Sequence, residues 1–267
     1  MEDGKEIKRV AVSEHDAGAQ LIWLGKFLMV GSVVYDVDRS LPVWTYDNKA
    51  NARASVGMHL VSAFGGDNGT NISVNRIPHD EAIQAAAAIN PESIYAIRPG
   101  DSVSVVYNFG PTPSDAQAAI RKTIEEKIQK QGWTLSNSAE NTITISLEQG
   151  KQESQDYYTR EGIGPFLPPP GFGRPASGPL ETVTYTPWTH KITIQAGSTQ
   201  VYQAVNVRGA PDNFRVKEGE STQAYVTRWC QPTAGYFEHL PIPPHLLKPE
   251  YQGGLGKSTI SDKGLAN

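Results

Sequence analysis

The 267-residue chain carries 24 Lys and Arg against 28 Asp and Glu, a formal net charge of −4. Its sequence pI of about 5.9 gives no basic surface to neutralise phosphates, which excludes nucleic acid as the expected partner. With 25 glycines, 19 prolines and 19% charged residues it reads as a loop-rich β protein, neither a helical bundle nor a disordered chain, and its one cysteine, Cys230, excludes an internal disulfide or a multi-cysteine metal site.

The opening residues, Met1 to Arg9, mix both charge signs and lead into no apolar core of signal-peptide type, which by default points to the cytoplasm. Residues 21–34 form the longest apolar stretch, but Gly25, Lys26, Gly31 and Ser32 interrupt it. A spanning helix needs about 20 apolar residues, so no membrane span is expected. Strands are predicted over Trp23–Val30, Ser32–Val37, Pro42–Tyr46, Val56–Phe64 and Asn71–Ile77, with turn residues between them at the close spacing of an all-β region. Within this stretch Tyr35-Asp36 stands where a WD-repeat blade carries Trp-Asp, and Trp44 begins the outer strand's aromatic pair. A ring of blades needs about four or more copies, and no second copy recurs. The strands therefore either belong to this chain's own sheet, with Trp44 buried, or begin inside the last blade of a larger protein. In the second case Met1 is not the natural start, and an envelope or exported location follows.

Residues 80–89 are predicted to be a short helix capped by Asp80 and stopped at Asn90-Pro91. Strands follow over Ile94–Ile97 and Ser102–Phe109, where Val103, Val105, Tyr107 and Phe109 alternate with smaller or polar residues. The strongest helix is 113–131: Thr112 at the N-cap, Pro113 at N1, Asp115 three residues on, an apolar stripe of Ala116, Ile120, Ile124 and Ile128, and Gly132 beyond the end. Its outer face of Arg121, Lys122, Glu125, Glu126, Lys127 and Lys130 is mixed in sign and reads as solvated. The stripe is expected to pack on a pair of strands, Thr142–Gln149 and Gln152–Arg160.

Residues 161–180 hold five glycines and six prolines and form an insertion between strands or a linker, with Pro168, Pro169 and Pro170 locally extended. That run, flanked by Arg160 and Arg174, is also a candidate ligand for a proline-recognising partner. Strands are predicted over Glu181–Tyr185, Lys191–Gln195 and Gln200–Val207, then a strand or short helix over Thr222–Arg228. Regular structure is expected to end at 240–244, leaving a frayed polar tail.

The chemical motifs are weak. Gly254-Leu255-Gly256-Lys257-Ser258-Thr259 imitates a phosphate loop, but Tyr251 stands where its first glycine belongs and no helix is expected after it. Gly162-x-Gly164 and Gly171-x-Gly173 are proline-rich loop. The six histidines, His15, His59, His79, His190, His239 and His245, make no helical metal pair, so no metal or cofactor is expected. Cys230 with His239 or His190 as base is the one nucleophile–base pairing that invites a hydrolase reading, against the blander reading of a buried thiol. The sequons at Asn68 and Asn71 matter only in a secreted eukaryotic protein.

From residue 74 onward the order of features resembles a family. It comprises Ile77-Pro78-His79, an Ala-rich helix, Arg98-Pro99-Gly100-Asp101-Ser102-Val103-Ser104-Val105, and a helix ending Gly132-Trp133. Tyr157-Tyr158, residues 183–188, Phe237-Glu238-His239-Leu240-Pro241-Ile242-Pro243 and Leu255-Gly256-Lys257-Ser258 follow. The pattern, spanning roughly 25–260, resembles the C-terminal regions of large uncharacterised multidomain bacterial proteins with WD-repeat-like segments upstream. The resemblance carries no activity and no functional residue.

The expected fold is mainly β, of α+β character: antiparallel sheets, a partial propeller-blade-like sheet at the start, and the 113–131 helix packed on a sheet. Three regions are expected: a blade-like sheet over 10–78, an α+β domain over 79–247 and a polar tail over 248–267. The expected function is a non-enzymatic binding or scaffold module of a larger bacterial protein, with a protein partner. The alternatives are a cell-envelope glycan binder using exposed Trp133, Tyr157, Tyr158 and Trp188, and a Cys/His hydrolase. Clustering of those rings on one open sheet face would favour the glycan reading, and burial would sink it.

Overall fold

The computed structural model describes residues 20–66, 69–158, 180–212, 214–217, 219–240 and 242–266. β1 (Leu21–Leu24), β2 (Phe27–Val30), β3 (Val33–Asp36) and β4 (Leu41–Asn48) form an antiparallel meander. The apolar run Trp23–Val30 is therefore two strands, because Gly25, at φ 70°, turns the chain back at Gly25-Lys26. β5 (Ala52–Val56), β6 (His59–Gly66) and β7 (Gly69–Arg76) make a second, three-stranded antiparallel sheet.

α1 (Asp80–Ala88) follows, with His79 rather than Asp80 at its N-cap position; Asp80 and Glu81 sit in the first turn, where acidic groups suit the helix dipole. Ala82 and Ala86 bury themselves against Trp44, Tyr46, Leu60 and Ile77, so α1 belongs to the first core. The Tyr46 hydroxyl lies 2.7 Å from His79 Nδ1 and accepts the His79 backbone N–H, which fixes the helix start on β4.

α2 (Pro91–Ile94) and β8 (Tyr95–Ile97) lead to β9 (Ser102–Asn108), then α3 (Ser114–Lys130), β10 (Thr134–Leu135) and β11 (Asn141–Gln149). β9, α3 and β11 form a crossover unit in which β9 and β11 pair in parallel. Ile120, Ile124 and Ile128 of α3 pack with Val103, Ile143, Ile145 and Leu147 of the sheet, so the helix stripe is buried as expected. The capping differs. Pro113 is the N-cap residue, and the Thr112 hydroxyl instead donates to the Phe109 carbonyl in the preceding turn.

The strand expected beside β11 is also elsewhere. β12 (Glu153–Tyr158) pairs with β13 (Leu180–Tyr185) as a separate ribbon. β14 (Trp188–Ala196) takes the place next to β11, and β15 (Thr199–Arg208) follows it, giving the sheet order β10-β9-β11-β14-β15. Pairing of Tyr158 with Leu180 joins the two ends of the proline-rich stretch; residues 159–179 lie outside the described residues.

α4 (Thr222–Trp229) is a helix, its first turn capped by the Ser221 hydroxyl. It covers the β12–β13 ribbon, and Gln223 completes the fit by accepting the Thr184 N–H and donating to the Thr184 carbonyl. After α5 (Gly235–His239), β16 (Leu246–Leu247) pairs with β8.

The tail is not frayed. β17 (Lys257–Ser261) adds in parallel to β4, and β18 (Gly264–Ala266) pairs with β17, completing a six-stranded sheet. Ile260 is buried in the first core and the Trp44 indole N–H donates to Ser258 Oγ, so apolar burial and a long-range hydrogen bond hold this segment. Trp44 itself is buried, as its own-sheet reading required. The fold is thus mainly β, with three antiparallel sheets, two mixed sheets and five α-helices among the described residues.

Candidate functional site

The aromatic residues singled out as a binding face do not converge on an open surface. Trp133 is buried in the α3 core with its indole N–H donated to the Pro244 carbonyl, and Trp188 is buried in the same core. Tyr157 is buried in a different cluster, its hydroxyl donating to the Pro211 carbonyl and its ring edge-on to Phe214. The glycan reading needs these rings exposed, whereas Trp133, Trp188 and Tyr157 each fill an interior. The Tyr158 side chain and Pro168, Pro169 and Pro170 lie outside the described residues.

Cys230 is also interior. It packs with Tyr157, Val183 and Val226, and burial pushes its thiol up despite the nearby Arg208 charge. A raised thiol stays protonated at neutral pH and is a poor nucleophile. Among the described residues no hydrogen bond joins Cys230 to a histidine. His190, fully buried on β14, packs on the rings of Tyr236 and Phe237. Burial, with the Arg208 charge second, lowers it to about 4; the backbone of Asn206 and Trp188 lies near the ring and works the other way, yet neither ring nitrogen has a hydrogen bond of good geometry. It is neutral at physiological pH. His239 sits exposed on α5. Among the described residues no group of three or more His, Cys, Asp or Glu is placed to hold a metal ion.

Two concave features stand out among the described residues. A cleft of about 290 Å³ at the base of the β12–β13 ribbon is walled by Gln149, Gln152, Tyr185, Trp188, Thr227 and Cys230. Gln223, at its rim, is fully engaged with Thr184 and Thr227, which makes that wall structural. A shallower groove of about 370 Å³ separates α1 from the turn at 249–255.

The feature that departs most from ordinary protein surface is the β5–β6–β7 sheet. Its register sets out three rows on one face: Ala52, Ala63 and Ile72; Ala54, Val61 and Val74; Val56, His59 and Arg76. Directly opposed residues in an antiparallel sheet point to the same side. This side faces outward, with Val56 69%, Ile72 66% and Val74 60% exposed. The opposite, inward side carries Arg53, Ser55, Leu60, Ser62, Phe64, Asn71, Ser73 and Asn75, of which Leu60, Ser62 and Ser73 are buried. Ser62 Oγ accepts from Asn48 Nδ2 and Ser73 Oγ from Asn75 Nδ2, so the buried hydroxyls are paired.

An antiparallel sheet with one solvated face normally turns its apolar residues in and its polar residues out. Here the order is reversed. The only charged groups on the outer face lie in its last row, where Arg76 pairs with Asp80 at 3.0 Å. β6 and β7 match strands expected over Val56–Phe64 and Asn71–Ile77, whereas β5 at Ala52–Val56 was not expected; the reversal was not legible either, because it depends on which side of the sheet meets the first core. The signal was present as alternation, Ala52-x-Ala54-x-Val56 and Ile72-x-Val74 against Arg, Ser and Asn between them.

In comparison with known proteins, no family model matches the chain and no curated protein matches it.

Proposed function

We propose that this chain is a non-enzymatic binding or scaffold module of a larger bacterial protein, and that it docks through the outward face of β5–β7. The observation that carries the reading is the polarity of that sheet: seven of the nine residues in its three outward rows are apolar, while the inward side carries Leu60 and Phe64 among an arginine, serines and asparagines. Apolar surface in water is unfavourable by about 25 cal/mol per Å², so a contiguous exposed patch of this kind marks an interaction site. The protonated thiol of Cys230 and the neutral, interior His190 support a binding role over hydrolysis. The glycan alternative loses its platform with Trp133, Tyr157 and Trp188 buried.

Site-specific photo-cross-linking tests the proposal. A photoreactive phenylalanine analogue at Val74 is expected to give a discrete adduct in the expressing cell. The same group at Gln129, exposed on α3, is expected to give none. Equal labelling from both positions, or none from either, rejects the docking face.

A further inference from the structure

We infer that the partner on the β5–β7 face is a second copy of this chain, related by a two-fold axis running parallel to β6 in the plane of the interface. The inference rests on the reading of that face as a docking surface and names its occupant.

The side chains on the face are graded in size from one edge to the other. The β5 column carries Ala52 and Ala54, the β6 column Ala63 and Val61, and the β7 column Ile72 and Val74, in matching rows. A two-fold along β6 turns the sheet over and exchanges its edges while keeping the rows aligned. Each β7 column then lies over the β5 column of the other copy. Ile72 meets Ala52 and Val74 meets Ala54, large over small, twice by symmetry, and Val61 packs on its twin at the centre. This is the self-complementarity that an isologous interface requires. Two aligned sheets pack about 10 Å apart with mean strand directions within about 30° of each other, and an axis parallel to β6 sets the two central strands parallel.

Charge and edges point the same way. The Ala52 and Ala54 rows hold no charged group, so this part of the patch offers nothing to a strongly acidic or basic partner. Both edges are flanked by other elements: β1 lies beside β5, and β18 lies beside β7, where Asn71 approaches Asp262 at 3.4 Å. The face is what remains free.

Its size sets the strength. Strands of five, eight and eight residues, at about 4.8 Å spacing and about 3.4 Å per residue, give a footprint near 340 Å². That is less than half of the roughly 800 Å² per partner in a standard interface, so the dimer is weak and concentration-dependent.

Sedimentation analysis of the whole chain over a range of concentrations tests this. The parent is expected to move from 29.0 kDa to twice that mass. Val74→Asp and Ala54→Lys, at exposed positions, are each expected to keep the parent's circular dichroism and melting temperature yet weaken self-association by more than about ten-fold, since each leaves an unpaired charge against an apolar surface. The double variant Ala54→Lys/Val74→Asp is expected to recover the dimer, because each Lys then meets the Asp of the other copy. A parent that stays at the monomer mass, a dimer that survives Val74→Asp, or a double variant no better than the single ones overturns the inference. A monomeric parent whose position 74 cross-links to a different protein also overturns it while leaving the docking face in place. A monomeric parent cross-linked from position 74 to its own residues 1–19 rejects both.

Discussion

Trp44 and Ser258, 214 positions apart in the chain, share a 2.8 Å hydrogen bond, and the indole ring lies over the backbone of Gly256. A Cβ at Gly256 would stand 2.3 Å from Trp44 Cη2, inside any tolerable contact, and the ring is too buried to move aside. Gly256→Ala is therefore expected to destabilise by at least about 1–3 kcal/mol in urea unfolding, the range of an overpacked core. Trp44→Ala is expected to cost about 3–5 kcal/mol as a large aromatic truncation. Adding Trp44→Phe to Gly256→Ala should recover part of the loss, because the clashing atoms belong to the part of the indole that phenylalanine lacks. The sequence disclosed the buried Trp44 but dressed Gly256 as part of a phosphate-loop imitation: a close approach between residues so far apart leaves no local pattern. His190 supplies a second residue-scale expectation. Its folded value of about 4 lies below the ordinary 6.5, so the unfolded chain binds the proton that the folded chain refuses. Its contribution is intact above pH 6.5 and is lost progressively as the pH falls from 6.5 towards 4, by roughly 3 kcal/mol in all. His190→Leu should flatten that part of the stability profile; an unchanged slope in melting temperature against pH would show that other groups govern it.

At the scale of the element, α3 shows what a sequence can reveal and where it stops. The four-residue recurrence of isoleucines placed the helix and its buried face correctly, since Ile120, Ile124 and Ile128 all lie in the core. Ile124→Asp is expected to abolish the cooperative thermal transition, because it sets an unpaired charge against the sheet; a variant melting like the parent would show the helix is not held by that stripe. What the recurrence could not supply was the partner. Alternation in Thr142–Gln149 established a strand with Ile143, Ile145 and Leu147 on one side, and nothing in it says which neighbour completes the ladder. The nearest following strand turned instead to β13, and β14, reached only after the proline-rich stretch, took the central position. The same limit hid the docking face. Alternation in β5–β7 separates two sides of a sheet, but only the packing of Leu60 into the first core decides which side is inside, and it chose the more polar one. Burial of Ser62 and Ser73 is tolerable because each finds a side-chain donor, and the apolar residues are left outward as a consequence.

Across the whole molecule the chain builds one core, leaves it, builds a second and returns. Residues from Ile22 to Ala86 form the first cluster, residues from Ile97 to Leu246 the α3 cluster, and Ile260 rejoins the first. Between them run few polar ties, among them Gln252 Nε2 to the Val201 carbonyl at 2.9 Å and the Tyr95 hydroxyl to the Arg39 carbonyl at 3.5 Å. Polar ties this sparse predict separate stability for the two cores, but only one of them is continuous in sequence. A fragment of residues 91–248 keeps α3, its five-stranded sheet and the β8–β16 pair, with Lys248 N–H still donated to the Ile94 carbonyl, and is expected to fold alone with a single transition. A fragment of residues 20–90 lacks β17 and β18. It leaves the outer edge of β4 without its parallel partner, removes Ile260 from the core and strips Gly256 and Ser258 from Trp44. Exposed, unpaired strand edges and a truncated core favour a partly ordered or aggregating chain, so this fragment is expected to lack a cooperative transition by itself. Adding a peptide of residues 249–266 should restore one, with the Trp44 fluorescence shifting to shorter wavelength as the ring is covered. Cooperative folding of residues 20–90 without the peptide would mean that β17 decorates a sheet already stable, and that the first core does not depend on the chain's return.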